Sequence, residues 1–276
     1  MQVEQKGLST NGTSFQVTAY WLDQISDFEE PVDYPVMIIC PGGGFTYHSG
    51  REEAPIAAQF TAAGMHTIVL NYQLEAEDTP VYPTALQQVA ATIEWVTANS
   101  AAHHADTERI ILTGFSAGGH VVATFNGVAT NPQLRAKYQL DEYQGHHAAV
   151  VLGYPVIDLT AGFPTSEAER NKVTTDSQLW AAQSLVTATT KPAFVWQTAT
   201  DELVPAINSL MYVQALLQQH VAVEYHLFGS GIHGLALANH VTQKPGKTKY
   251  LNDQAANWPQ LATRWLQQQG ILNGTF

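Results

Sequence analysis

Cysteine is almost missing from this sequence: Cys40 is the one thiol in 276 residues. A single thiol cannot close an intrachain disulfide, so the fold must rest on its core, and a reducing compartment, the cytoplasm, is the expected location. Positive charge is scarce too. The chain carries 12 Lys and Arg against 24 Asp and Glu, a formal net charge of −12, which argues against nucleic acid or an anionic membrane as a partner. No apolar run reaches the length of a membrane span. The polar opening Met1-Gln2-Val3-Glu4-Gln5-Lys6 lacks the apolar stretch of a secretory signal. Neither H-E-x-x-H nor a cysteine cluster occurs, so no metal site is expected. Internal repeats, low-complexity segments and blocks of like charge are also missing.

What remains is a core-forming composition, with 45% hydrophobic and 13% charged residues. The length suits one large α/β domain over 1–276 better than two small ones. Residues 36–40 (Val-Met-Ile-Ile-Cys) and 193–197 (Ala-Phe-Val-Trp-Gln) are continuous apolar runs, as strands buried on both faces should be. Further strands are expected at 15–22, 66–72, 148–155 and 221–228. Between them, helical spacing predicts helices over 51–64, from Pro83 onward, 205–220 and 253–269. Strand–helix alternation over the whole length gives a mainly parallel sheet with helices on both faces. The stretch 157–191 breaks the alternation. Two capping boxes there, Ser166-x-x-Glu169 and Thr175-x-x-Gln178, predict two short helices in an insertion lying above the sheet as a lid.

The segment Ile110-Ile111-Leu112-Thr113-Gly114-Phe115-Ser116-Ala117-Gly118-Gly119-His120 organises the rest. A branched apolar run, Gly-x-Ser-x-Gly and a helix-compatible stretch follow one another in the order a nucleophile elbow requires. Gly114 and Gly118 leave room where strand and helix backbones nearly touch. The following helix aims its N-terminal N–H groups at an oxygen that becomes negative. Pro41-Gly42-Gly43-Gly44-Phe45, after the 36–40 strand, suits a loop whose N–H groups form an oxyanion hole.

A serine nucleophile needs a base, and the base needs an orienting carboxylate. In open α/β sheets active groups gather at the C-terminal ends of the strands. That rule selects Asp201 after the 193–197 strand and His233 in the glycine-flanked loop after the 221–228 strand, in the order Ser, acid, His. Glu202 is the rival acid, but its longer side chain one position on should point away. His103, His104, His146 and His147 lie in polar connectors and are expected to be solvated, whereas His120 should pack or hydrogen-bond beside the elbow.

Together these residues resemble the α/β-hydrolase family, specifically bacterial esterases and acetyl-esterases related to the hormone-sensitive-lipase group. The likeness spans about 15–270 and rests on Pro41-Gly42-Gly43-Gly44-Phe45, Gly114-Phe115-Ser116-Ala117-Gly118-Gly119, Asp201-Glu202-Leu203-Val204-Pro205 and Gly231-Ile232-His233-Gly234. It implies Ser116 as nucleophile, His233 as base, Asp201 as its orienter, and the N–H groups of Gly43, Gly44 and Ala117 as the oxyanion hole. Much of the group has histidine before the three glycines. Pro41 stands there here, nearer the branch similar to acetyl-xylan and feruloyl esterases, which Gly50-Arg51-Glu52 and Tyr154-Pro155 also resemble. The implied activity is a serine carboxylesterase without cofactor, acting on small esters such as acetylated sugars or aryl esters. Phe45, Phe115 and Tyr154 are expected to crowd the substrate site and restrict it to short acyl groups. A serine peptidase of the same fold and a non-catalytic binding module remain as alternatives, and a homo-oligomer stays open.

Overall fold

The structure, a computed structural model, describes residues 1–27, 29–76, 79–140, 143 and 147–272. In chain order it runs β1 (Gln2–Thr10), β2 (Thr13–Trp21), β3 (Tyr34–Cys40), α1 (Ala54–Thr61), β4 (His66–Asn71), α2 (Thr84–His103), β5 (Ala105–Phe115), α3 (Ser116–Ala129), α4 (Pro132–Lys137), β6 (Ala149–Gly153), α5 (Glu167–Val173), β7 (Ala193–Thr198), α6 (Ile207–Gln218), β8 (Val223–Phe228) and α7 (Trp258–Gln268). The strands form one sheet of order β1-β2-β4-β3-β5-β6-β7-β8. β1 and β2 are antiparallel to their neighbours, and β4 through β8 are parallel.

Alternation along each central strand splits its apolar run between two cores. Val36, Ile38 and Cys40 of β3 face a core shared with Leu86, Val89 and Ile93 of α2 and with Val121 and Phe125 of α3. Met37 and Ile39 face the other, against Ile56 and Phe60 of α1 and Trp258 and Trp265 of α7. Each such fully buried aliphatic or aromatic side chain contributes about 1.5–3 kcal/mol of transfer free energy. Both faces are sealed, so polar chemistry can emerge only at the strand ends.

Three local expectations need correction. The hairpin partner β1 was not foreseen: its pattern is mostly exposed, and Asn11 and Gly12, both at positive φ, turn it back onto β2. In the 157–191 insertion, the Ser166 capping box forms and opens α5. The second box does not form. Asp176, not Thr175, accepts from the Gln178 N–H, and the result is a single 3₁₀ turn at Ser177–Leu179. The Asx link caps the turn one residue later, and a second 3₁₀ turn follows at Ala182–Leu185. His147 is not solvated either; it is 1% exposed and its Nε2 meets Asn126 Oδ1 at 2.9 Å. His103 stacks on Trp21 with ring centroids 4.0 Å apart, and His104 closes α2 in the left-handed conformation. His146 lies outside the described residues.

Candidate active site

Ser116 ends β5 and begins α3 with φ +52, a left-handed conformation that a serine adopts only under strain. The elbow is as tight as its glycines imply. A Cβ on Gly118 would lie 2.1 Å from the Cys40 carbonyl oxygen, so α3 reaches the end of β3 only because no side chain intervenes. Phe45 (φ +67) and Tyr154 (φ +36), beyond β3 and β6, share the left-handed conformation. Among the described residues, three of the nine non-glycine residues at positive φ thus fall at the C-terminal ends of three neighbouring strands, a place where active sites store strain.

Ser116 Oγ stands 2.7 Å from His233 Nε2, and His233 Nδ1 stands 2.7 Å from Asp201 Oδ2. The other oxygen of Asp201 accepts from the Leu203 and Val204 N–H groups, each at 3.0 Å. That leaves the Asp201 carboxylate buried and fixed on both sides, while Glu202 points to solvent. Three side chains from three strand ends, residues apart by up to 117 positions, thus form one hydrogen-bonded line.

The loop after β3 supplies the opposite wall. Gly43 sits at φ +135, and its carbonyl accepts from the Thr46 and Tyr47 N–H groups at 3.1 and 3.3 Å. A Cβ there would fall 1.9 Å from the Tyr47 carbonyl oxygen, so the turn requires glycine. Tyr72 donates to the Pro41 carbonyl at 2.8 Å and anchors the loop's start. Gly43 and Gly44 border the same cavity as Ser116 and His233, a space of about 610 Å³. Ala117 is buried and lies one residue into α3, where its N–H belongs to the unpaired first turn.

The three aromatic residues expected around substrate are placed elsewhere. Phe45 and Phe115 are fully buried, in the cores on opposite faces of the sheet. Tyr154 is 2% exposed; its ring lies edge-on to His233 at 5.1 Å and its hydroxyl donates to Glu52 Oε1 at 2.7 Å. The cavity is bounded instead by Tyr47, Phe163, Pro164, Leu203 and Tyr250. Phe163 packs against the glycine loop after β3, where a Cβ on Gly44 would meet its ring at 3.2 Å. Polar side chains, among them Arg51, Glu75, Glu169 and Lys244, complete the lining. Sequence patterning carried no signal for Phe163, in an irregular segment, or for Tyr250, at the end of a single 3₁₀ turn over Thr248–Tyr250.

His120 packs as expected. Its Nε2–H donates to the Trp180 carbonyl at 3.3 Å, its Nδ1 accepts from the Tyr82 hydroxyl at 2.7 Å, and burial pushes its pKa down to about 4. Among the described residues, no group of three or more His, Cys, Asp or Glu side chains could hold a metal ion, and no helix is long and apolar enough to cross a membrane.

The parallel sheet, the strained serine at the β5–α3 turn and the strand-end loops define an α/β hydrolase. Residues 22–216 match the BD-FAE family. The structure of the carboxylesterase Cest-2923 from Lactobacillus plantarum WCFS1 is 74% identical over 100% of both chains, with a TM-score of 0.99. Endo-1,4-beta-xylanase B of Butyrivibrio fibrisolvens is 29% identical over 74% of this chain and 33% of that protein. Esterase LipQ of Mycobacterium tuberculosis is 28% identical over 74% of this chain and 51% of that protein. The chain therefore spans a third to a half of the length of these two curated relatives. It belongs to the BD-FAE family and stands with the carboxylic ester hydrolases.

Proposed function

We propose that this chain is a serine carboxylesterase acting on short-chain, acetyl-like esters through an acyl-enzyme, with residues 1–276 working as one unit and the 157–191 insertion walling the site. The observation that carries the proposal is the Ser116–His233–Asp201 line of 2.7 Å hydrogen bonds opening onto a cavity bordered by Gly43 and Gly44. Ser116 Oγ attacks the ester carbonyl carbon while His233 Nε2 takes its proton. The carbonyl oxygen becomes an alkoxide held by the N–H groups of Gly43, Gly44 and Ala117; each such donor is worth about 2.7–4 kcal/mol in comparable sites. The C–O bond to the alcohol then breaks as His233 returns the proton to the leaving oxygen. Water repeats the sequence on the acyl-enzyme and releases the acid. Asp201 keeps the imidazole in the tautomer that can accept at Nε2, and no cofactor enters any step.

The short-acyl preference draws on the charged side chains of Arg51, Glu75, Glu169 and Lys244 in the lining, Phe163 against Gly44 and the small α5. Acetylated sugars and aryl esters are the proposed substrates, in the cytoplasm. Labelling with a fluorophosphonate, followed by a panel of matched ester and amide substrates, is the test. Modification of Ser116 with turnover of esters alone is the expected result. Amide turnover at comparable rates would make it a peptidase, and an unlabelled serine would make it a binding module.

A further inference from the structure

Glu52 is a buried carboxylate that none of these steps uses. It lies just ahead of α1, is 3% exposed, and lies against the floor of the cavity. Its Oε2 accepts from the Gly42 N–H at 2.7 Å, and its Oε1 accepts from Tyr154 Oη at 2.7 Å. The Tyr154 hydroxyl in turn accepts from the Ala236 N–H at 2.9 Å. One carboxylate thus reaches the loop that carries Gly43 and Gly44 and, through one tyrosine, the loop that carries His233.

Its neighbour Arg51 ties down the histidine loop as well. It donates to the carbonyls of Gly234 at 2.6 Å, Leu235 at 3.3 Å and Thr242 at 2.6 Å. A buried charge is strongly disfavoured unless several partners compensate it, and an apolar side chain would fill the space without that penalty. Holding two loops in register is something an apolar residue could not do.

We propose that Glu52 is a positioning residue for the esterase reaction, fixing the oxyanion loop through Gly42 and the histidine loop through Tyr154 while its charge favours the imidazolium that forms at His233. The proposal rests on the serine-esterase assignment above. The charged and titratable groups that face Glu52 are Arg51, Glu53, Tyr72, Tyr154 and His233. Burial holds the Glu52 pKa above its ordinary value, against the lowering pull of the hydrogen bonds from Tyr154 and Gly42 and of the charges of His233 and Arg51. A positive charge on His233 therefore favours the ionised form of Glu52.

The experiment compares Glu52→Gln, Tyr154→Phe and Ser116→Ala in the full chain, measuring kcat and KM separately on an aryl acetate, the pH profile of kcat/KM, and the thermal midpoint. Glu52→Gln keeps the shape but removes the charge and reverses the polarity toward Tyr154. Its kcat should fall about 10²-fold, the scale of one lost oxyanion donor, with KM within about threefold. The acid limb of its kcat/KM profile should move to lower pH, a change that loss of packing alone does not produce. Tyr154→Phe cuts the bridge but leaves the charge, so kcat should fall about tenfold with the acid limb in place.

A folded Glu52→Gln protein with kcat within about threefold of wild type and an unmoved acid limb would overturn the proposal. If Glu52→Gln fails to fold, Tyr154→Phe decides: an unchanged kcat overturns the bridge and a tenfold loss upholds it. Ser116→Ala separates the two levels. If it stays active the serine assignment falls, whereas an inactive Ser116→Ala beside a fully active Glu52→Gln removes only the role of Glu52.

Discussion

His120, in the helix that Ser116 begins, and His233, hydrogen-bonded to the Ser116 hydroxyl, have surroundings that differ in every respect that matters for chemistry. His120 sits on α3, four residues after Ser116, with no exposure, wedged between Tyr82 and the insertion through the Trp180 carbonyl. His233 arrives from the loop after β8 and borders the cavity, with a carboxylate on one nitrogen and the serine hydroxyl on the other. Nearness to Ser116 in sequence therefore does not bring a ring to its hydroxyl; the ring that reaches it is 117 positions away. A base must exchange a proton with something that moves, and a fixed negative partner must favour its charged form. His120 touches neither: neutral donors and acceptors hydrogen-bond it, and burial disfavours its charge more than the Trp180 carbonyl and the more distant Asp158 favour it.

The widest separation between the two regions should appear in turnover. His233→Ala should lower kcat by about 10⁴-fold or more, the range found when a triad member is removed. His120→Gln should stay within about tenfold, because it changes packing beneath the elbow and not the proton path. Both are measured on an aryl acetate with protein whose thermal transition is intact. A comparable loss in both variants would erase the distinction.

Asp201, hydrogen-bonded to His233, sharpens the same contrast. Asp201→Asn leaves the shape in place but offers His233 an amide that can favour the wrong tautomer, so kcat should drop about 10⁴-fold. Glu202→Gln, exposed one residue on, should change it by less than about threefold. Equal losses would mean that the acid is misassigned.

The third effect is one of stability, and its sign follows from the His120 environment. The folded protein keeps His120 neutral down to about pH 4, whereas the ordinary value is 6.5. Between those values the unfolded chain binds the extra proton, so stability rises with pH through that window and is lost as pH falls through it. At about 1.4 kcal/mol per unit, the loss between pH 7 and 5 comes to roughly 2 kcal/mol. Denaturant unfolding at both values should show a loss in wild type that is smaller by about this amount in His120→Gln. His48 and His66, whose pKa values burial also lowers, contribute in the same direction in both proteins. A difference between pH 7 and 5 that is the same in both proteins would show that another group carries it.

The residues that were legible in the sequence are those whose backbone or chemistry has few alternatives. The runs at 36–40 and 193–197 could only be strands buried on both faces, and they became the centre of β3 and β7. The elbow was legible because Gly118 has no substitute where α3 meets β3. β1 escaped because an edge strand alternates weakly; Asn11-Gly12, a favoured hairpin turn pair, was the signal that could have revealed it. Pro132 at the start of α4, behind the capping Asn131, was a similar unused signal. Phe45, Phe115 and Tyr154 misled for a geometric reason. Residues beside the motifs lie at strand ends that are covered on both faces, so bulky side chains there turn into the cores. The walls of the cavity come from loops such as those carrying Tyr47, Phe163 and Tyr250, which no periodicity marks.

That relocation changes the grounds for a small acyl site without changing its direction, and it yields the smallest expected effect. Each methylene that finds an apolar wall gains about 0.8 kcal/mol, so a true acyl groove would raise kcat/KM steeply with chain length. Here Phe163 stands against Gly44 at the inner end, and the outer lining carries Arg51, Glu75, Glu169 and Lys244. Alkyl carbons beyond the first few would lie against charged groups and gain little, while desolvating those groups opposes binding. The preference should therefore peak between acetyl and about butyryl, and kcat/KM for decanoyl should be about tenfold lower, measured with aryl esters below their micelle concentrations. Phe163→Ala should move the maximum by about two carbons toward longer chains while leaving acetyl turnover within about threefold, since the ring bounds the space and takes no part in proton transfer. A wild-type maximum at octanoyl or beyond would put an apolar channel behind Phe163 and shift the enzyme toward lipid esters. An unmoved maximum in Phe163→Ala would assign the boundary to Tyr47 or Leu203 instead.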